Sequence, residues 1–401
     1  MRVLMVSDVY FPRVNGVSTS IQTFREALAA LGVQVDLIAP AYPNELDEPG
    51  VWRVPSRYLA FDPEDRMMRR GLIRRLLPQL QAAQYDLVHI QTPFIAHYAG
   101  MALASQLGVP VVATYHTFFE EYLHHYARLL PAALTRALAR RFSRSQCNAL
   151  AGVIAPSSAM HDGLRRYGVT VPITVIPTGI PLRQFAEGDG AGFRQQHGIA
   201  PDRELALFVG RVAHEKNIDL LLEAAAIARL QRPRLLLLIA GEGPALAHLQ
   251  ARATQLGLGG HVRFLGYLDR AKALPDCYRA ADVFVFGSTT ETQGLVLLEA
   301  MAMGVPVLGI PAMGARDILG PGIGCVCTSD NADDFADKLV ALLQDPQRRQ
   351  QLGLAARDYA QGWSAPATAE RLLAFYRQTV LPQASALPDE AAQAQTATAR
   401  Y

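Results

Sequence analysis

Leu205-Ala-Leu-Phe-Val-Gly210, followed by Arg211-Val-Ala-His-Glu-Lys216-Asn217, is the stretch on which the fold turns. Its first residues are continuously apolar and stop at a glycine, as a strand covered on both faces does. The polar residues that follow form a strand-to-helix loop. The same grammar returns in RLLLLIAGEG (234–243), VRFLGY (262–267), DVFVFGS (282–288) and VPVLGI (305–310). It is already present upstream in VLMVSD (3–8), VQVDLIAP (33–40), DLVHIQTP (86–93), PVVATYH (110–116), GVIAPSS (152–158) and ITVIPTG (173–179), with an amphipathic stretch at 17–31. Strands alternating with helices specify parallel, doubly wound sheets.

A polar, Gly-rich break at Gly188 to Gly192 separates the two series. The sequence therefore predicts an α/β protein of two doubly wound, Rossmann-like domains facing across a cleft, residues 1–185 and 195–362. Residues 331–380 read as helical, and a helix at about 364–380 is long enough to pack back on the first domain. Residues 383–401, rich in Ala, Gln and Thr, read as a flexible tail. Ligands of such sheets bind at the carboxyl ends of the strands, so two facing units create one interdomain cleft.

The 401 residues, half of them apolar and 18% charged, exclude collagen-like, coiled-coil and wholly disordered chains. A net charge of +2 gives no reason to expect nucleic acid as a partner. Lysine occurs only at 216, 272 and 338, a bias read as genomic composition. Cys147, Cys277, Cys325 and Cys327 show no CxxC pair and no zinc spacing, so neither a disulfide framework nor a metal site is expected. Asp8 interrupts the first apolar run too early for a signal peptide, and no run reaches the roughly 18 residues of a membrane span. A cytoplasmic protein is expected.

The sharpest constellation is Glu291-Thr-Gln-Gly-Leu-Val-Leu-Leu-Glu299, directly after the strand at 282–287. Gly294 opens a helix whose free N–H groups suit an anion, and the two carboxylates flank a ligand rather than touch. The spacing alone fits equally a helix whose acidic first turn complements its dipole. Arg211 and Lys216, five apart in one loop, combine an arginine fork with a lysine point charge, which suits a diphosphate. Elsewhere such a pair would be ordinary solvated surface; after a buried strand in the same half as the two glutamates it is the better candidate for anion binding.

The set Asn15-Gly16, His116, Gly210-Arg211 with Lys216, Gly241-Glu-Gly243, Phe264-Leu-Gly266 and Glu291 through Glu299 resembles the retaining glycosyltransferases of family 4, with their two-domain GT-B fold, over nearly the whole chain to about 380. The resemblance implies that Arg211 and Lys216 grip the donor diphosphate and that Glu299 meets the ribose. Glu291, with the backbone at Gly294 and Leu295, would contact donor sugar and phosphate, and the segment Arg263 to Tyr267, with Phe264 and Leu265, the nucleobase. Gly16, Gly210 and Gly241 would lie beside the donor, and His116 would contact the transferred sugar; a lone histidine at a strand end is otherwise more often structural. Asn15 stands where the family commonly has a second glycine, and is assigned to the acceptor. No metal and no cofactor beyond the nucleotide sugar are implied, with UDP-glucose preferred and GDP-mannose the alternative.

Two basic stretches concern the acceptor: Arg66, Arg69, Arg70, Arg74 and Arg75, and Arg128, Arg136, Arg140, Arg141 and Arg144. Both mix arginine with Leu, Met and Phe at helical spacing, the composition of helices lying on anionic lipid, though a solvated face over an ordinary core reads the same. The aromatic, acid-bearing segment 116–126 is similar to that of lipid-directed members that glucosylate diacylglycerol. A lipid or lipid-linked acceptor follows, with Glu120, Glu121 and Tyr122 positioning it and the chain peripheral on the inner leaflet of the membrane. The alternative acceptor is a polyprenyl-linked or soluble saccharide. A nucleotide-sugar epimerase would need further acid/base groups, an NAD oxidoreductase would need GxGxxG after the first strand, and a non-catalytic nucleotide-sugar sensor would keep the binding residues without turnover.

Overall fold

The computed structural model describes residues 1–43, 45, 47–59, 62–116 and 132–384. Apolar strands and intervening helices assemble into two parallel sheets. The first contains β1 (Arg2–Val6), β2 (Gln34–Pro40), β3 (Val51–Val54), β6 (Leu87–Ile90), β7 (Val111–Thr114), β8 (Gly152–Ala155) and β9 (Ile173–Val175), in the order β3-β2-β1-β6-β7-β8-β9. The second contains β10 (Glu204–Val209), β11 (Leu235–Ala240), β12 (Val262–Gly266), β13 (Val283–Phe286), β14 (Val307–Gly309) and β15 (Cys325–Cys327), in the order β12-β11-β10-β13-β14-β15. Each sheet winds outward in both directions from its first strand. The order reverses between β1 and β6 and again between β10 and β13, and at such reversals the loops at the strand ends part to form a crevice.

Helices cover both faces of the second sheet. On one face Leu205, Leu207, Phe284 and Phe286 pack with Leu297, Leu298 and Met301; on the other Ala206, Phe208, Val283 and Val285 pack with Leu221, Leu222 and Phe335. Each of these side chains is at most 2% exposed, and burial of each Val, Leu, Phe or Met among them stabilises by roughly 1.5–3 kcal/mol relative to exposure. Glycine is required where the loops after β10 and β11 cross. A Cβ on Gly241, at φ +138°, would stand 1.9 Å from the Gly210 carbonyl oxygen, which no side chain can tolerate.

The chain crosses between the sheets twice at one place. Ile180 donates to the Trp363 carbonyl and accepts from the Ala365 N–H, both at 2.9 Å. The last helix, Ala365–Ala384, then lies against the helix Gly16–Ala30, and its Leu372, Phe375 and Tyr376 join the core under the first sheet. Tyr376 hydroxyl and His89 Nδ1 are 2.6 Å apart, and His89 Nε2 lies 2.8 Å from Thr114 Oγ1. This helix runs through Ala384, past the start of the expected tail; residues 385–401 lie outside the described residues.

The first basic stretch differs from its expectation. Arg66 is not on a helix but on β5 (Asp62–Met68), which pairs antiparallel with β4 (Ser56–Leu59). Its guanidinium stacks over Tyr58 at 4.0 Å and Tyr42 at 4.8 Å and donates to the Ala41 carbonyl. Aromatic partners from distant segments override the local periodicity. Arg70, Arg74 and Arg75 do lie on a helix, Arg70–Arg75, and Arg140, Arg141 and Arg144 on Ala132–Cys147; all six are exposed. Arg128, with Glu120, Glu121 and Tyr122, lies outside the described residues. Among the described residues no helix is long and apolar enough to cross a membrane.

Candidate active site

The loops after β10 and β13 meet at the reversal point of the second sheet. Lys216 ends the short turn His214–Lys216, and its Nζ donates to Glu291 Oε1 at 2.5 Å. The hydroxyls of Ser288 and Thr290 both donate to the Glu215 carbonyl, which ties the two loops together. Asn217, at φ +53°, donates its carboxamide to the Gly287 carbonyl and to Asp330. Arg211 is exposed on the same loop, two residues beyond β10. One ammonium and one carboxylate thus pair at the crevice, with the Lys216 and Glu291 side chains only 21% and 17% exposed.

Gly294 sits at φ +94° and caps the helix Leu295–Ala302. The first N–H groups of that helix have no intrahelical acceptor and lie beside Glu291, which suits an anion there. Glu299 lies inside the helix and is 2% exposed. It accepts from Arg270 Nη2 at 2.5 Å and from the Tyr278 hydroxyl at 2.9 Å. Burial, reinforced by the Glu299 charge, holds the Tyr278 hydroxyl well above the usual tyrosine range, so it remains a donor. Each Glu299 oxygen keeps a lone pair for another hydroxyl.

Across the cleft, His116 follows β7 and donates Nε2–H to Gln91 Oε1 at 3.0 Å. Burial depresses its imidazole to about 4, so the ring is neutral at pH 7 and Nδ1 carries a lone pair. Gln91 itself follows β6, at the reversal point of the first sheet. There Asp8 accepts from Thr92 Oγ1 and from the Ala96 N–H, joining the loops after β1 and β6.

Not every expected residue faces the crevice with its side chain. Arg263 is the second residue of β12, near its amino end, and its guanidinium donates to the His197 carbonyl, away from the carboxyl end of the strand. Phe264, Leu265 and Gly266 lead to the carboxyl end, where the Gly241 N–H donates to the Gly266 carbonyl. Asn15 has an extended backbone and its Oδ1 accepts from the Ser18 N–H, so the side chain caps the helix that Gly16 begins. A Cβ on Gly16 would meet nothing within 4 Å, leaving open space before that helix end.

Residues 14–184 match the family model Glycosyltransferase Family 4, and residues 191–359 match Glycosyl transferases group 1. The alpha-monoglucosyldiacylglycerol synthase of Streptococcus pneumoniae is 34% identical over 318 residues, covering 77% of this chain and 70% of that protein. The chain belongs to glycosyltransferase family 4. A GDP-mannose-dependent alpha-mannosyltransferase of Mycobacterium tuberculosis is 30% identical over 386 residues, covering 94% of this chain and 96% of that one. HepE of Anabaena, crystallised in complex with UDP, is 19% identical with a TM-score of 0.76 over 94% of this chain and 100% of its own, and shares the GT-B fold.

This glycosyltransferase also uses residues that motif reading passes over. Gln293 is 6% exposed and bonds the backbone of Thr178, between the lobes. Arg270 and Tyr278 hold Glu299. Gln293 lies within the Glu291–Glu299 run and was open to notice as an uncharged residue next to Gly294; nothing local marks Arg270 or Tyr278, whose partner is 29 and 21 residues away.

Proposed function

We propose that this glycosyltransferase moves a hexose, glucose by preference, from a nucleotide-diphosphate sugar to a diacylglycerol-like membrane lipid, with retention at the anomeric carbon and without a metal. The observation that carries the donor reading is the Lys216–Glu291 pair at the reversal point between β10 and β13, beside the opening of the helix Leu295–Ala302. An entering diphosphate takes over the Lys216 ammonium and is met by Arg211 and by the amides at Gly294 and Leu295. Glu291 is then released to accept from the sugar hydroxyls, while Glu299, fixed by Arg270 and Tyr278, accepts from the ribose. Neutral His116 supplies a hydrogen bond to the transferred sugar rather than a charge.

The leaving diphosphate stays close enough to help take the acceptor proton, so the sugar is delivered from the face it left. The chain contributes orientation and fixed positive charge around a charge-separated transition state. The two basic helices hold the first lobe against the anionic surface where the lipid resides. Support for glucose and the lipid comes from the name of the streptococcal relative. The mannosyltransferase aligns over more of both chains, and on that ground a mannosyl donor with a polyprenyl-linked or soluble saccharide acceptor is the second reading. Incubation with a panel of nucleotide sugars and mixed lipid vesicles, followed by mass identification of products, decides between them. Glucosyl-diacylglycerol is the expected product. Transfer from GDP-mannose to a saccharide alone overturns the lipid reading, and binding without turnover overturns the enzyme.

A further inference from the structure

His214 lies in the turn His214–Lys216, Asp219 in the first turn of the helix Ile218–Ala228, and His248 on the helix Leu246–Gln255. One ligating atom from each stands within 4.8 Å of the other two. His248 Nε2 and Asp219 Oδ1 are 2.8 Å apart, and the two imidazole centroids are separated by 5.3 Å. A surface ion pair would account for His248 and Asp219 alone. It does not account for the second imidazole that a separate loop brings to the third corner.

We propose that His214, Asp219 and His248 bind a divalent transition-metal ion of the zinc class, with a water in the open fourth position. Two imidazoles and one carboxylate suit such ions, whereas magnesium and calcium demand oxygen ligands. Bonds of about 2.0–2.1 Å set tetrahedral ligand atoms roughly 3.4 Å apart, so His248 and Asp219, at 2.8 Å, must part slightly while His214 closes on them from within 4.8 Å. Both histidines are exposed. None of the three belongs to the set assigned to the donor, and the site stands whether or not Lys216 meets a diphosphate. Because His214 and Lys216 share one turn, a bound ion would tie that loop to the two helices.

Calorimetric titration of the full chain with Zn2+ should show one tight equivalent that raises the melting temperature. Co2+ should give the visible bands of a tetrahedral nitrogen–oxygen site without thiolate charge-transfer bands, which separates it from Cys325 and Cys327. His214→Ala, Asp219→Asn and His248→Ala each remove a direct ligand and should each weaken Zn2+ by more than the roughly hundredfold that loss of an outer-shell partner costs, while melting like the parent chain in chelator. His161→Ala, an exposed histidine elsewhere, should leave the affinity unchanged. No binding, thiolate bands, or equal affinity in the three variants and the parent would overturn the site.

Discussion

Gln293 and Thr178 exchange two hydrogen bonds: the Thr178 N–H donates to Gln293 Oε1 at 2.8 Å, and Gln293 Nε2 donates to the Thr178 carbonyl at 2.7 Å. One side-chain amide thereby satisfies both backbone groups of a buried residue and pins the Glu291 loop to the segment joining the lobes. Gln293→Leu keeps the volume but leaves two buried groups unpaired, at about 1–3 kcal/mol each. Urea titration should record that loss. An unchanged midpoint for the leucine variant would contradict the role.

Removal of either loop cation should separate catalysis from folding. Lys216→Ala or Arg211→Ala is expected to lower kcat/KM by about a hundredfold to a thousandfold, with circular dichroism and melting temperature nearly unchanged. Full activity in either variant would refute the diphosphate assignment.

Arg270 compensates a carboxylate that is almost fully enclosed. Arg270→Ala should cost about 3–5 kcal/mol, since an unpaired buried charge is left behind. Pairing Arg270→Leu with Glu299→Gln should restore most of the loss in a denaturant cycle. If the double variant is as unstable as the single one, the charge pairing is not what the arginine supplies.

Acid stability carries a definite sign. Burial depresses His97 and His116 to about 4 and His89 to about 3, from an ordinary 6.5. As pH falls below 6.5 the unfolded chain takes up these protons and the folded chain does not. Stability should therefore be flat above 6.5 with respect to these groups. Below 6.5 it should fall, by up to about 1.4 kcal/mol per pH unit for each histidine, until the folded values are reached. Urea midpoints from pH 7.5 to 4.5 should show this slope, reduced by one histidine's share in His97→Leu; parallel slopes would disprove it.

Membrane docking is testable by charge reversal. Arg70, Arg74 and Arg75 are exposed on one short helix, so replacing all three by Glu should reduce co-sedimentation with anionic vesicles and leave soluble-donor binding intact. Equal co-sedimentation of parent and variant would remove the first basic stretch from the membrane reading.

Eleven strands were legible because each is an apolar run closed by a polar residue or glycine, whereas β3, β15 and the β4–β5 hairpin, which are short or carry charged residues, were not; the Glu291–Glu299 run was legible because a glycine, two carboxylates and a following helix fall within nine residues. Long-range pairings were not. Arg66 shows helical spacing with its arginine neighbours, yet Tyr42 and Tyr58 draw it onto a hairpin. Arg263 sits in the right motif, but only its bond to the His197 carbonyl reveals that its side chain points away from the carboxyl end of the strand. The cluster of His214, Asp219 and His248 spans three elements, and His248 stands 34 residues from His214, so no local pattern announces it.

The last helix contributes Leu372, Phe375 and Tyr376 to a core otherwise made by the first lobe, from Val3 to Ile176. During synthesis, the first lobe therefore emerges with that apolar face bare and stays unfinished while the whole second lobe is being made. Loss of the helix Ala365–Ala384 would injure the lobe farthest away in sequence, leaving the second sheet intact and the first one sticky.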